Sequence, residues 1–206
     1  MKRNALERWV AKPAVFLLAL MPAIALTAAA LTDGLGANPI EVLTHQTGEW
    51  ALRFLLVTLA ITPLRRMTGW KAAIRFRRML GLFTFFYALS HFLIFAMLDH
   101  FFAWPDILAD IIKRPYITVG FLSLLLLTPL ALTSTNNMVR RLGAKRWKTL
   151  HRLGYLAAGA GVIHFLWLVK ADTREPLIYL GIFAMLLALR LPSPWRHRKA
   201  PLASNP

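Results

Sequence analysis

Apolar residues are gathered into six runs, at about 13–32, 49–64, 79–99, 116–133, 150–169 and 176–191, and charged residues are pushed into the breaks between them. A helix needs roughly 17 to 25 predominantly apolar residues to cross a bilayer. The pattern predicts an all-α fold: a polytopic membrane helical bundle of six transmembrane helices, one domain over residues 1–206. The second run is the least regular, because Arg53 interrupts it and Pro63, Arg65 and Arg66 close it. It spans if Arg53 snorkels and the helix tilts or the bilayer thins. Loops of some 6 to 19 residues leave no room for a soluble domain.

Charge gives the runs a direction. The N-terminus, the 65–78 loop, the 134–152 stretch and the C-terminal tail share one side of a six-span chain and hold 20 of its 25 Lys and Arg residues. The other side keeps Arg53, Lys113, Arg114, Lys170 and Arg174, with every acid except Glu7. Basic loops stay in the cytoplasm, so both termini are expected there. All seven tryptophans, Trp9, Trp50, Trp70, Trp104, Trp147, Trp167 and Trp195, fall in loops or near run ends, where an amphipathic ring suits the headgroup boundary.

Composition removes other classes. The chain is 57% hydrophobic and carries a net charge of +16, with a mean hydropathy of +0.52. Nucleic-acid binding is not expected, since the basic residues sit in the breaks between spans rather than on a soluble face; membrane lipids are the expected surroundings. There is no cysteine, which excludes disulfides, thiolate metal sites, Cys-ligated iron–sulfur clusters and covalent haem attachment. Ala28 to Ala30 imitates a signal-peptidase site, but the run before it is as long as a bilayer span and is read as the first helix.

Three histidines stand inside the apolar runs: His91, His151 and His164. An ionisable residue in a membrane span is a functional-site hypothesis by default. His91 lies eight residues short of Asp99 and His164 six short of Lys170, on two runs that point the same way. The two imidazoles therefore share a depth in the outer half. Helices three and five can present them to opposite faces of one porphyrin, as axial ligands of a six-coordinate haem b iron. Small residues nearby, Ala88, Ser90 and Ala157 to Gly161, let backbones or a flat ligand approach closely.

His151 sits at the cytoplasmic mouth of the fifth run between Lys148 and Arg152. Three roles stay open for it: ligand of a second, inner haem, contact for an electron donor, or interfacial histidine. Thirteen steps of about 100° leave it some 140° from His164 around an ideal helix, with Gly154, Gly159 and Gly161 between them. His45, His100 and His197 read as solvated and are given no function. Arg53 outside, and Arg75, Arg77 and Arg78 inside, are candidate partners for haem propionates, because guanidinium grips carboxylate in a fork.

These residues resemble the ferric-reductase-like transmembrane family, whose members stack two haems on histidines spaced 13 or 14 apart on two helices. His151 and His164 match that pattern. The third run departs from it, with Arg77 standing fourteen residues before His91. More closely, the chain resembles haem-bearing membrane subunits of bacterial periplasmic methionine sulfoxide reductase systems. The matching stretches run in order through nearly the full length. They include Gly34 to Ala37 with Pro39, Leu59 to Arg65, Arg77 to Leu82, Arg114 to Tyr116, Thr133 to Thr135, Lys145 to Trp147 with Leu150 and His151, and Pro176 to Tyr179.

The resemblance implies a bacterial inner-membrane protein that passes electrons from respiratory quinol through haem b to a periplasmic molybdopterin enzyme, MsrP, which repairs oxidised methionine. It also implies FMN, for which the sequence shows no Gly-rich phosphate loop. On this reading the chain is an electron-transfer subunit rather than the catalytic reductase. A contrasting reading is a small metal or proton-coupled transporter with His91 and His164 as its binding pair. It lacks the mid-membrane Asp or Glu that such a site normally invests. A self-contained ferric reductase would need a nucleotide-binding domain, for which the chain leaves no room.

Overall fold

The computed structural model describes residues 7–191; Lys2 and Arg3, and Trp195 to Lys199 with His197, lie outside the described residues. Among the described residues the chain is helical and contains no strand. Helix α1 covers Lys12–Leu31, preceded by a π turn at Glu7–Ala11. Helix α2 covers Pro39–Thr68. A 3-10 turn, Lys71–Arg75, leads into α3, Arg77–Ile94, which a π turn extends over Phe95–Asp99. There follow α4 (Trp104–Lys113), α5 (Pro115–Leu132), α6 (Asn136–Leu150), α7 (Leu153–Leu168) and α8 (Arg174–Ala188).

Three of these stretches, Trp9–Leu31, Arg77–Asp99 and Pro115–Leu132, are long and apolar enough to cross a membrane by length and composition, and Leu153–Leu168 is apolar but shorter. Helix α2 is longer than its apolar run, at 30 residues. Pro39 starts it, where a missing N–H costs nothing. Gly69, at φ 70°, ends it by donating its N–H to the Arg65 carbonyl. The added turns carry Glu41 and His45.

Two stretches expected as loops are helical. In α4 the apolar residues recur at helical spacing: Ile107 is buried while Trp104, Leu108 and Ile112 are exposed along one stripe. Helix α6 is strongly basic and starts where the Thr135 side chain accepts from the Met138 N–H. It breaks at Gly143, whose φ of 75° and ψ of 153° are not helical. Mean hydropathy reads both as polar breaks because it does not see which face the apolar residues share.

Helix α2 is the shared wall of two cores. One of its faces, Leu52, Leu55, Leu56 and Leu59, packs on Leu127 of α5, Ala157, Ala158 and Val162 of α7, and Leu186 of α8. Phe54 and Ile61 face Ala19 of α1 and Leu80, Phe83 and Tyr87 of α3. Exposed apolar side chains such as Leu17, Met21, Leu122, Leu125, Leu156 and Met185 look outward, as lipid-facing residues do.

Several polar groups inside the bundle tie one helix to the next. Ser123 of α5 donates to the Ala157 carbonyl of α7 at 2.9 Å. The fully buried Tyr87 hydroxyl inserts into the backbone ladder of α1 beside Pro22, donating to the Ala19 carbonyl at 2.8 Å and accepting from the Ala23 N–H at 3.1 Å. A side chain entering the ladder next to a proline bends a helix and fastens it to its neighbour. Tyr87→Phe is expected to lower stability by about 1 kcal/mol, read as an earlier unfolding midpoint in detergent.

A candidate cofactor site between two helix pairs

The closest helix pairings are α2 with α3 and α5 with α7, and in each pair a histidine of the second helix reaches a backbone carbonyl of the first. His91 on α3 places Nδ1 2.8 Å from the Thr44 carbonyl of α2. His164 on α7 places Nδ1 2.7 Å from the Tyr116 carbonyl of α5. A carbonyl can only accept, so both Nδ1 atoms carry the proton and both Nε2 atoms keep a free lone pair. That is the ligating tautomer of a histidine held by its outer partner.

The same local device makes both bonds. A helical Cβ leans toward the N-terminus and covers the preceding turn, so the side chain at position i+4 shields the carbonyl at position i. Four residues after Thr44 stands Gly48, and four after Tyr116 stands Gly120. Each glycine leaves a notch that an imidazole fills. A Cβ on Gly48 would lie 3.1 Å from His91 Nδ1 and Cε1, and one on Gly120 would lie 2.7 Å from His164 Nδ1.

The two rings meet with centres 6.0 Å apart and planes at 75°, in a cavity of about 280 Å³ between the helix pairs. Leu52, Leu55, Ala88, Phe92, Leu127 and Phe165 line its apolar part. Thr44, His45, Glu49, Asp99 and Arg114 line its polar rim. Two imidazoles on opposite sides of one metal ion, bonded at about 2.0–2.1 Å with each ring centre roughly 1.1 Å behind its nitrogen, have centres about 6.3 Å apart. The observed spacing fits, and an apolar slot with two free Nε2 atoms is the donor set of a bis-histidine haem. Among the described residues no group of three or more His, Cys, Asp or Glu could hold a bare metal ion.

Other candidates take different places. His151 is not on the regular part of α7; it caps α6, so the 140° offset computed for one continuous helix does not apply. Its ring stacks on Trp147 with centres 3.8 Å apart, its Nδ1 lies 3.1 Å from the Trp147 carbonyl, and its Nε2 is buried without a partner. Arg53 is engaged by Glu49 at 2.5 Å, by the Tyr179 hydroxyl at 2.9 Å, and by the Trp50 ring. Arg78 donates to Asn136.

Sequence reasoning missed Gly48, Gly120 and the rim residues His45 and Arg114. The glycines had a signal, since each stands near the end of a run at the depth of a histidine. Arg114 had none, because its place depends on α4 folding back: Asp110 holds it at 3.3 Å and also faces His100 at 3.4 Å. With no strand among the described residues, a Gly-rich phosphate loop between strand and helix has no place there, and no step is derived through FMN.

Sequence comparisons place this geometry. The chain belongs to the family described as the ferric reductase like transmembrane component, which matches residues 47–162. Within that family it is similar to proteins named protein-methionine-sulfoxide reductase heme-binding subunit MsrQ. That of Herminiimonas arsenicoxydans is 53% identical over 189 residues, covering 91% of this chain and 87% of the relative. The Rhodospirillum rubrum relative is 54% identical, covering 91% and 90%. The Polaromonas naphthalenivorans relative is 45% identical, covering 97% and 94%.

The glycine notches give a test. Gly120→Ala should push His164 off the Tyr116 carbonyl and cut haem retention roughly 10- to 100-fold, as loss of an outer-shell partner does. Gly48→Ala, with the looser contact, should cost less. Haem titration of the purified chain, beside circular dichroism to show intact helices, checks both.

Proposed function

We propose that the chain is a haem b membrane electron-transfer subunit, taking electrons from the quinol pool and delivering them to a periplasmic molybdopterin methionine sulfoxide reductase, MsrP. The observation that carries this is the pair of imidazoles, His91 and His164, held in the ligating tautomer with ring centres 6.0 Å apart inside an apolar cavity. The names of the MsrQ relatives, which call those proteins heme-binding subunits of this reductase, support it.

In this reading six helices span the bacterial inner membrane: α1, α2, α3, α5, α7 and α8. Both termini and the basic helix α6 face the cytoplasm, by the segregation of basic residues. Helix α4, with its exposed Trp104, Leu108 and Ile112, lies along the periplasmic surface as an interfacial amphipathic helix.

Bound between His91 and His164, haem supplies a one-electron couple. The protein's part would be to hold the group with two imidazoles, His91 and His164, which would leave no place on the iron for a substrate and keep the chemistry to electron transfer. The Thr44 and Tyr116 carbonyls draw on the Nδ1 protons and raise the basicity of each ligating nitrogen. Leu52, Leu55, Phe92 and Leu127 keep water from the slot. A second haem at the basic end would find one imidazole, His151, with Arg77 where the facing ligand would stand, so one haem per chain is the proposal.

The outer ends of α3 and α7 then face the partner, with the loops at 99–110 and 171–176 as the docking surface. Asp99 and Asp110 are drawn toward His100 and Arg114, while Asp106 and Glu175 are exposed.

The deciding measurement is the reduced-minus-oxidised visible spectrum with haem content per chain. A low-spin b-type spectrum is expected, lost in His91→Ala and in His164→Ala and kept in His151→Ala. A folded chain, expressed with ample haem, that purifies without haem refutes the proposal. For docking, Asp106→Lys with Glu175→Lys should slow haem oxidation by the partner about 10-fold at low salt and leave the spectrum alone; an unchanged rate moves the docking face elsewhere.

A further inference from the structure

The basic end of the bundle is poor in acidic residues, Glu7 being the one that the chain order puts on that side. No Asp or Glu occurs between Glu49 and Asp99, between Asp110 and Asp172, or after Glu175. Yet two guanidiniums there are drawn into the bundle. Arg190, at the end of α8, reaches across to the Tyr155 hydroxyl of α7 and to the Leu59 carbonyl of α2. Leu59 has a free carbonyl because Pro63, four residues on, has no N–H to give it. Arg77, half-buried at the start of α3, lies close enough to Arg190 and Tyr155 to feel both. Two half-buried guanidiniums this close to one another favour a counter-ion.

Buried polar atoms without partners gather at the same end. Among the described residues they are Thr58 Oγ1, Thr62 Oγ1, His151 Nε2 and Arg190 Nε. The register of α2 on α3 relates them. Gly48 faces His91, and Thr58 faces Gly81, so the antiparallel pairing brings Thr62 opposite Arg77. From His91 to Arg77 is fourteen residues, or about 21 Å along the helix at roughly 1.5 Å per residue. His151, which also feels Arg77 and Arg78, approaches from α6. Arginine and hydroxyl donors and a buried imidazole nitrogen thus lie at one end of the bundle, with no ion pair from Arg77 or Arg190 to an acid among the described residues.

We propose that this inner cluster of donors binds a phosphate group, held by Arg77 and Arg190 with Thr62 and His151 beside them. Guanidinium forks suit phosphate oxygens, and basic pockets between helices on the cytoplasmic side are where anionic headgroups bind. The phosphate comes either from an anionic lipid of the inner leaflet or from a soluble phosphate ester. The cluster is distinct from the His91 and His164 cavity, none of whose lining residues it shares, and does not depend on the electron-transfer reading.

The experiment uses the full chain, haem-loaded, in detergent. Phosphatidylglycerol is one probe and inorganic phosphate, against chloride at equal ionic strength, is the other; thermal midpoint and native mass spectrometry are the readouts. Either probe should raise the midpoint of the parent chain, and Arg190→Gln and Arg77→Gln should each weaken that binding at least about tenfold. The spectrum at His91 and His164 should stay unchanged, which also shows that each variant has folded. Arg141→Gln with Arg152→Gln, exposed basic residues at the same end, should leave binding as it was.

Retained phosphatidylglycerol that inorganic phosphate does not displace identifies a lipid, and displacement identifies a soluble ester. Three results overturn the proposal. One is no response to either probe; the second is equal loss in the Arg141 and Arg152 control. The third is a haem equivalent that leaves with Arg190→Gln. Should Arg190→Gln fail to fold, Arg77→Gln with Arg190→Lys decides the matter alone.

Discussion

The site depends on one interaction made twice: an imidazole N–H donated to a backbone carbonyl of a neighbouring helix. Thr44 and Tyr116 each sit inside a helix, where the carbonyl would normally serve only the amide four residues on. Glycine at that fourth residue uncovers the oxygen, and a histidine from the adjoining helix takes it. The bond chooses the tautomer, fixes the ring and aims Nε2 in a single stroke. It also joins helices in pairs, α2 to α3 and α5 to α7, so the contacts that hold the bundle are the contacts that orient the two imidazoles.

The two pairs must then be held at one distance from each other, and α2 does most of this. Its leucine face is buried against α5, α7 and α8, and its other face against α1 and α3. Between lipid and bundle there is little hydrophobic difference, so close packing and interhelical hydrogen bonds carry the association. Ala157 and Ala158, both fully buried, bring α7 close enough for Ser123 to reach the Ala157 carbonyl. A Cβ added at Gly161, on the next turn, would already meet Leu52 and Ser123 at ordinary contact distance. A bulky residue in that stripe would widen the slot between His91 and His164, so packing far from the rings sets the spacing of the rings.

The apolar runs, their order and the charge contrast between the two ends were legible in the sequence, because hydropathy and loop charge are sums over many residues. The nearness of His91 and His164 was legible as a matched depth, given the direction of two runs. The backbone partners were not, since Thr44 and Tyr116 act through carbonyls that every residue has. Only the glycines four positions later mark them. Helices α4 and α6 were hidden by averaging: Ile107 is buried and Leu108 exposed, side by side. Arg190 read as one more basic residue near the tail, and its reach to the Leu59 carbonyl follows from Pro63 and from the packing of α8 on α2. The conflict between the phases of His151 and His164 came from assuming one helix where the chain turns between α6 and α7.

The distribution of acids ties the two ends of the molecule together. At the acidic end each internal cation has an internal answer: Arg53 with Glu49, Arg114 with Asp110. At the basic end Arg190 has no acid partner among the described residues, although it is as deeply engaged as Arg53, bound to a tyrosine hydroxyl in the same way. Loop charge for topology needs only exposed basic residues, and Arg140, Arg141, Lys145, Arg146, Lys148 and Arg152 already provide them. It gives no reason to draw a guanidinium inward over a proline-freed carbonyl. A buried cation left without an acid is costly unless a second molecule brings the negative charge. Topology thus accounts for where the basic residues are, and not for the depth of these two.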